Sequence, residues 1–519
     1  MSSKTEVEMA PAAAAAARGK PPNAARQAPE PPCSTRGFVL PECPLCHGTE
    51  RYCSFLIGDE RFDECKSCGL LSHKAAGGVV ATSTLEYGTG PGEEAGLDLI
   101  ESFLSLLEEY VGSADRSVGV TGRGSPAFVE EARRRGFDAH PFAPDGGHGR
   151  QFDVIAIVDL LEDTLDPIAF IDSLRDKLYP GGTIAVVTRR LVKPGWQSQP
   201  GRILRQRQRY SFSDHNLQTI VWKAGFDNIF LGHWVGEEDR MRAQGWFKDH
   251  AMLFGRMQER RAVPTLSVVV PVYNEAGTVR HVLDALSSKE IPGVNLEIIV
   301  VESSSSDGSR DIVLEYKDRP GFTIALEERA RGKGFAVREG LRHATGDVVL
   351  IQDADLEYDF LDYEMLIDPI LAGRTAFVLG TRHAGHWKIR RFGSYFMADA
   401  MNLAHWCLVF LMNRLYEQSM TDPFTMFKVF RRDCLSGLEF ECNRFDFDVE
   451  LVCKLLRKGY TPLEIPVNYQ ARSFKDGKKV GILRDPPTWI KAMLKYRFSP
   501  EIRAMGRNGP IVSGGKTVF

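Results

Sequence analysis

Two acidic residues, Asp353 and Asp355, bracket Ala354 just past the apolar run Val348-Val349-Leu350-Ile351. Such a run is the pattern of a buried parallel strand, and open α/β sheets hold ligands beyond the carboxyl ends of their strands. Residues two apart on a strand share a face, so both carboxylates can point at one hard cation. Mg2+ or Mn2+ held by so few carboxylates completes its shell with a substrate's phosphates. By itself Asp-x-Asp reads as a solvated acidic turn; its neighbours in the chain argue for the cation. A second group is Cys43, Cys46, Cys65 and Cys68, two Cys-x2-Cys pairs. Four thiolates at that spacing fit a closed, tetrahedral, structural Zn2+ site. The competing reading is two disulfides or free buried thiols, and the lack of a secretory signal argues against disulfides.

The elements that must position Asp353 and Asp355 are visible upstream. Leu266 to Glu275 reads as a buried strand entering a turn, followed by an amphipathic helix with Val279, Val282, Leu283 and Leu286 on one face. Leu296 to Val301 reads as a second strand, ending in Glu302 and the Ser303–Ser309 loop. Arg331-Gly332-Lys333-Gly334 opens a helix that stops at Thr345-Gly346-Asp347. In this order the pieces resemble the family 2 glycosyltransferases of the GT-A fold, and most closely the polyprenyl-phosphate sugar transferases, from about Leu266 to Asn468.

The resemblance implies a nucleotide-diphosphate sugar as donor and roles for named residues. Pro271, Tyr273 and Glu275 would line the nucleotide pocket, with Glu302 and Asp307 as its acids; Ser303 stands where a second acid is common. Asp353 and Asp355 would hold Mg2+ or Mn2+, assisted by Glu357. Arg382, after Leu379-Gly380-Thr381, resembles the Gly-Ser-Arg element of the polyprenyl-phosphate branch. Arg390 and Ser394 stand four apart, so one helix face would present guanidinium and hydroxyl to an acceptor phosphate; Arg391 between them reads equally as basic surface. Asp422, in the stretch Asp422-Pro423-Phe424-Thr425, is the acid expected nearest the reaction centre, and Asp448 or Glu450 would line the acceptor side. Lys333 stays open between a nucleotide contact and a solvated lysine at a helix start.

Met401 to Tyr416 reads as an apolar helix interrupted by His405 and Arg414, too short to span a bilayer. It fits a helix in the headgroup layer anchored by Trp406 and Tyr416, and fits equally a core helix or a dimer face. The reaction implied is an inverting transfer to a polyprenyl phosphate. Such a phosphate is mostly dianionic at pH 7 and needs positioning more than deprotonation. A sugar hydroxyl would need Asp422 as base.

The 519 residues call for several domains. With 43% hydrophobic residues and a net charge of −3, a nucleic-acid partner is not expected. Residues 1–37, rich in Ala and Pro, are expected to be disordered, 38–76 to form a zinc ribbon, and 499–519 a tail. Between about Gly92 and Arg260, Phe152 to Asp163, a helix, and Leu178-Tyr179-Pro180-Gly181-Gly182 leading into a strand resemble a class I S-adenosylmethionine-dependent methyltransferase, a Rossmann-like fold. Its glycine loop keeps Gly122 and Gly124, but Val120 and Ala143 stand where acids are expected, Pro126 where a third glycine is, and Asp163 where a His is. Loss of the ribose carboxylate argues for a fold that no longer methylates; an active enzyme using Asp145 is the competing reading. The expectation is thus an α/β chain ending in a GT-A domain over 264–498, cytoplasmic and peripheral to the membrane. An active sugar methyltransferase and a non-catalytic glycan-assembly scaffold are the other two classes.

Overall fold

The structure is a computed structural model and describes residues 42–57, 60–74, 97–112, 116–144, 149–189, 209–234, 250–259, 261–383, 395–470 and 485–499. Outside these lie residues 1–41, Asp145, Arg390, Arg391 and Ser394, and the chain from 500 onward.

An antiparallel ribbon comes first, β1 (Arg51–Ile57), β2 (Glu60–Cys65) and β3 (Leu71–Lys74). The central part follows as α1 (Leu97–Val111), β4 (Ser117–Gly122), α2 (Ser125–Arg134), β5 (Asp138–Pro141), β6 (Phe152–Val158), α3 (Pro167–Ser173), β7 (Leu178–Arg189), β8 (Tyr210–Ser211), α4 (Asp214–Lys223), β9 (Phe226–Trp234) and β10 (His250–Met257). Its sheet runs β5-β4-β6-β7-β10-β9, parallel as far as β7, with β10 antiparallel to both neighbours. The short β8 pairs instead with β3, so the ribbon is stitched into the central part.

The last part contains β11 (Thr265–Val272), α5 (Val279–Ser288), β12 (Asn295–Glu302), α6 (Ser309–Leu314), β13 (Phe322–Leu326), α7 (Lys333–His343), β14 (Val348–Ile351), α8 (Tyr363–Leu371), β15 (Phe377–Thr381), α9 (Tyr395–Tyr416), β16 (Lys428–Arg431), α10 (Asp446–Arg457), β17 (Leu463–Pro466) and α11 (Asp485–Phe498). The sheet order is β13-β12-β11-β14-β16-β15-β17. β11 lies between β12 and β14, parallel to both. Strand alternation sorts its side chains onto two faces. Val269 packs with Ile299, Ile351 and the α7 residues Val337 and Leu341. Val268 and Val270 pack with Val300, Leu350 and the α5 stripe Val279, Val282, Leu283 and Leu286. Each such side chain, fully buried, contributes about 1.5–3 kcal/mol relative to exposure. These two layers fix where β11, β12 and β14 end.

The last two parts share a polar seam. Asn228 Nδ2 donates to Asp433 Oδ2 at 2.6 Å, Gln218 Nε2 to the Tyr460 hydroxyl at 2.9 Å, and Arg432 pairs with Asp227 at 3.3 Å. The Arg431 guanidinium lies 5.0 Å from the centre of the Trp222 ring.

Candidate functional site

The carboxyl ends of β11 and β14 open onto one cavity of about 590 Å3. β11 delivers Pro271, Tyr273 and Glu275 to its wall, α7 delivers Lys333, and the segment after β14 delivers Asp353, Asp355 and Glu357. Arg382, just past β15, completes the set. The two carboxylates do not share a strand face as expected. β14 stops at Ile351, so Asp353 and Asp355 sit in a turn and not on the strand; Leu356 there has φ of 42°. The turn is held from outside: the Thr278 hydroxyl donates to Ala354 O at 2.7 Å, and the Tyr363 hydroxyl to Gln352 Oε1 at 2.9 Å.

Lys333 is not solvated. Its Nζ lies 2.6 and 2.8 Å from the two Asp353 oxygens. Burial opposes its charge, but the carboxylates of Asp353, Asp448 and Asp355 outweigh burial and hold its pKa above the usual lysine value. Gly332 ahead of it has φ of 110°, and a Cβ there would lie 2.4 Å from Asn443 O, so only glycine lets the loop set Lys333 at the cavity. Glu357 Oε2 accepts from the Tyr469 hydroxyl at 3.0 Å. Asp353, Asp355 and Glu357 all offer oxygen, the donor type that Mg2+ or Mn2+ takes, but the Lys333 ammonium holds both Asp353 oxygens, and the three carboxylates do not bring one oxygen each within 4.8 Å of the others.

Three expected acids lie off the cavity wall. Glu302 is fully buried and accepts from Ser305 N at 2.6 Å and Arg310 Nε at 2.5 Å. Asp307 accepts from Ser309 N at 3.0 Å and Ala276 N at 2.9 Å, stapling the loop after β12 to the loop after β11. Asp422 is fully buried, and Arg382 closes a two-pronged pair on it, Nε–Oδ2 and Nη2–Oδ1 both at 2.7 Å, with Arg382 N adding a third bond at 3.0 Å. Burial pushes the Asp422 pKa up, but the guanidinium outweighs burial and holds it at about 2. Asp422 thus serves the cavity through Arg382. Asp448 is on the wall, beside Lys428 Nζ at 3.3 Å; Glu450 is buried, accepting from Cys442 N at 2.8 Å.

The cavity also has an apolar lining that was not legible as site. Met401, Ala404 and Leu408 from α9, Phe424 and Met426, and Pro486 and Trp489 from α11 line it. Only tertiary packing brings α9 and α11 together, where the Tyr416 hydroxyl donates to Met493 O at 2.8 Å. That bond and its burial place Tyr416 inward, so it is not the outward anchor expected, while Trp406 is half-buried with its ring centre 5.0 Å from that of His383. The outward side chains are Leu403 (62% exposed) and Phe410 (68%) on α9, and Ile490 (36%), Leu494 (42%) and Phe498 (71%) on α11. Among the described residues no helix is long and apolar enough to cross a membrane.

The four cysteines converge. Cys43 and Cys68 Sγ lie 3.6 Å apart, Cys46 and Cys65 3.5 Å, and all four are buried with their sulfurs within 4.8 Å of one another. These separations exceed a disulfide bond and match the edges of a tetrahedral zinc–thiolate site. Lys223 Nζ bridges Leu45 O at 2.8 Å and Ala372 O at 3.0 Å, tying this knuckle to α8.

In the central part, Gly122 has φ of 104°, and a Cβ there would lie 2.0 Å from Val158 O. Arg123, the residue after it, forms an ion pair with Asp163. That pair spans from the end of β4 to the segment after β6, the crevice where this fold class takes a ligand. Glu162 is buried beside it, and the Thr188 hydroxyl donates to its Oε2 at 2.9 Å.

Comparison with known proteins agrees with this layout. Residues 267–438 match the family model "Glycosyl transferase family 2", and residues 60–230 match "Methyltransferase domain". Dolichyl-phosphate beta-glucosyltransferase of Saccharomyces cerevisiae is 30% identical over 257 residues, 45% of this chain and 74% of that protein. Undecaprenyl-phosphate 4-deoxy-4-formamido-L-arabinose transferase of Edwardsiella ictaluri is 28% identical over 225 residues, 43% of this chain and 65% of that protein. The chain spans between about half and three quarters of the length of such relatives. A crystal structure of glucosyl-3-phosphoglycerate synthase from Mycobacterium tuberculosis is 20% identical, covering 46% of this chain and 81% of that one, with a TM-score of 0.35. The chain belongs to glycosyl transferase family 2, and carries a methyltransferase-type domain ahead of the transferase domain.

Proposed function

We propose that the protein is a metal-dependent inverting glycosyltransferase that moves a sugar from a nucleotide-diphosphate sugar to a polyprenyl phosphate. The carrying observation is the cavity itself, lined by Asp353, Asp355, Glu357, Lys333 and Arg382 and also by apolar side chains of α9 and α11. Pro271, Tyr273 and Glu275 flank the donor nucleotide. Asp353, Asp355 and Glu357 would hold Mg2+ or Mn2+, which supplies charge for the departing nucleoside diphosphate. Lys333, poised on Asp353, adds a second positive group to the diphosphate. Asp422 takes the Nε and Nη2 edge of Arg382 and leaves the rest of the fork for the acceptor's phosphate. A phosphate dianion so placed attacks the anomeric carbon without a base, so the burial of Asp422 is no obstacle. The relatives named for undecaprenyl-phosphate and dolichyl-phosphate transfer support the acceptor class.

The tetrathiolate knuckle we assign to structural Zn2+. The central part we read as a methyltransferase fold that does not bind S-adenosylmethionine, a reading supported by Val120 and Ala143 in place of the expected acids and by the Arg123–Asp163 pair across the end of β4 and the segment after β6. The exposed stripes on α9 and α11, beside the apolar wall, support peripheral attachment to a membrane at its cytoplasmic face.

The test is hydrolysis and transfer against a panel of nucleotide sugars with Mn2+. The unaltered chain should consume one nucleotide sugar and transfer its sugar to a polyprenyl phosphate, and Asp353→Asn with Asp355→Asn should abolish this while leaving the melting temperature within a few degrees. Full activity in that double variant, or in excess EDTA, refutes the metal assignment. Faster transfer to a soluble sugar than to polyprenyl phosphate refutes the acceptor.

A further inference from the structure

On the acceptor side of the cavity stands a second group of ligand-type side chains, His383, His405 and Asp422, with ligating atoms within 4.8 Å of one another. His383 follows Arg382 beyond β15, His405 projects from α9 onto the cavity wall, and Asp422 comes from the turn before β16. Three distant stretches thus supply one cluster. Its distances fit a metal's ligand shell, with one ligand atom from each residue. His383 Nε2 and His405 Nε2 face each other at 3.4 Å, close to the edge of a tetrahedron with metal–nitrogen bonds of about 2.0–2.1 Å. His405 Nε2 stands 3.8 Å from Asp422 Oδ1, too far for a hydrogen bond but within the span of two ligands on one ion. Arg382 takes both lone-pair directions of Asp422 Oδ2 and one of Oδ1. That leaves one Oδ1 lone pair.

We propose that His383, His405 and Asp422 form a second divalent-cation site, selective for imidazole-binding ions such as Zn2+ or Co2+, whose open position receives an oxygen of the acceptor's phosphate. Among the described residues three protein ligands converge here, the number a working site uses when a substrate takes the fourth position, whereas the four-cysteine knuckle is closed. Two imidazoles and a carboxylate favour such ions over Mg2+, for which the all-oxygen set around Asp353 and Asp355 is suited. The charge balance says what the open position takes. Asp422 and Arg382 cancel, the imidazoles bind metal in their neutral form, and a divalent ion leaves two positive charges in a buried site. A phosphate dianion, the form dominant at pH 7, neutralises them. Cation and acceptor phosphate should therefore bind cooperatively, each tightening the other by the same factor. The inference rests on the acceptor-phosphate reading above and adds the group that would hold the phosphate opposite the donor's own cation.

The experiment is cobalt titration of the full-length chain, zinc-loaded at its cysteines and carrying Asp353→Asn with Asp355→Asn to silence the donor-side site. The visible cobalt band and calorimetry should report one equivalent of Co2+ bound, and inorganic phosphate should tighten it by about tenfold or more. His405→Ala and, separately, the less buried His383→Ala should each weaken cobalt by about ten- to a hundredfold. Cobalt binding that survives both histidine substitutions, or no cobalt beyond the cysteines in a chain of unchanged melting temperature, overturns the site. Cobalt binding that phosphate leaves unchanged overturns its acceptor role. Nucleotide-sugar hydrolysis by the unaltered chain is scored separately: if it persists while cobalt fails to bind, the transferase reading stands and this inference falls.

Discussion

A carboxylate's neighbours decide its role, and Asp422 shows how far that role can sit from its sequence position. In sequence it is an acid near the reaction centre; in the fold it is the buried partner of Arg382, forty positions earlier. Removing one member of a buried ion pair leaves the other charge uncompensated, at a cost of roughly 3–5 kcal/mol. Asp422→Asn should therefore lower the melting temperature and raise KM for a polyprenyl phosphate at least about tenfold, with a smaller change in KM for the nucleotide sugar. Equal losses toward both substrates would place Arg382 on the donor side. With the Asp422 pKa at about 2, the pair stays ionised between pH 4 and 8, so the unaltered enzyme should show no titration of this group there. The place of Asp353 and Asp355 at the cavity was legible because a short motif after an apolar run carries them, whereas Lys333 stayed open until the fold put it on Asp353. The pairing of Asp422 with Arg382 was not, because it depends on how β15 meets the turn before β16.

Elements were legible where periodicity is strong. β11, β12, β14 and α5 stand where apolar runs and a 3–4 spacing put them. The use of α9 and α11 was not, since which face of an apolar helix turns outward depends on what it packs against. The result is two adjacent outward stripes, Leu403 and Phe410 on one helix and Ile490, Leu494 and Phe498 on the other, with Lys491 within the α11 sequence. Phe410→Glu with Phe498→Glu should weaken binding to vesicles containing anionic lipid by about tenfold while leaving nucleotide-sugar hydrolysis in place; undiminished vesicle binding refutes the stripe. The knuckle makes the opposite case, a spacing motif that fully determines its cluster. Cys65→Ser should release one zinc per chain and loosen the β1–β3 ribbon. Elemental analysis that finds no zinc in reductively purified protein refutes that site.

At the scale of the whole molecule, the central part meets the transferase along a polar seam of Gln218, Thr219, Asp227 and Asn228 on one side and Arg431, Arg432, Asp433 and Tyr460 on the other. No sequence motif announces such a seam, because its partners lie some two hundred residues apart. The central part's departures from the methyltransferase pattern at Val120 and Ala143 were visible; the Arg123–Asp163 pair and the buried Glu162 were not. Burial, then the nearby Asp159, pushes the Glu162 pKa up to about 8. Burial, then Asp433, pushes the Asp227 pKa to about 6. Both carboxyls keep protons in the fold that the unfolded chain releases at lower pH. The folded state then binds more protons, and stability falls as pH rises, at up to about 1.4 kcal/mol per pH unit for each group. Asp227 is exhausted near pH 6, whereas Glu162 acts until about pH 8. Melting temperatures of the unaltered chain should therefore decline from pH 6 to 8, and Glu162→Gln, which keeps the Thr188 hydrogen bond without a charge, should flatten that decline and melt higher than the parent at pH 8. S-Adenosylmethionine should shift neither curve. Parallel slopes for parent and variant above pH 6 would show that Glu162 is ionised in the fold, and a melting shift with S-adenosylmethionine would show that the Arg123–Asp163 pair opens to admit it.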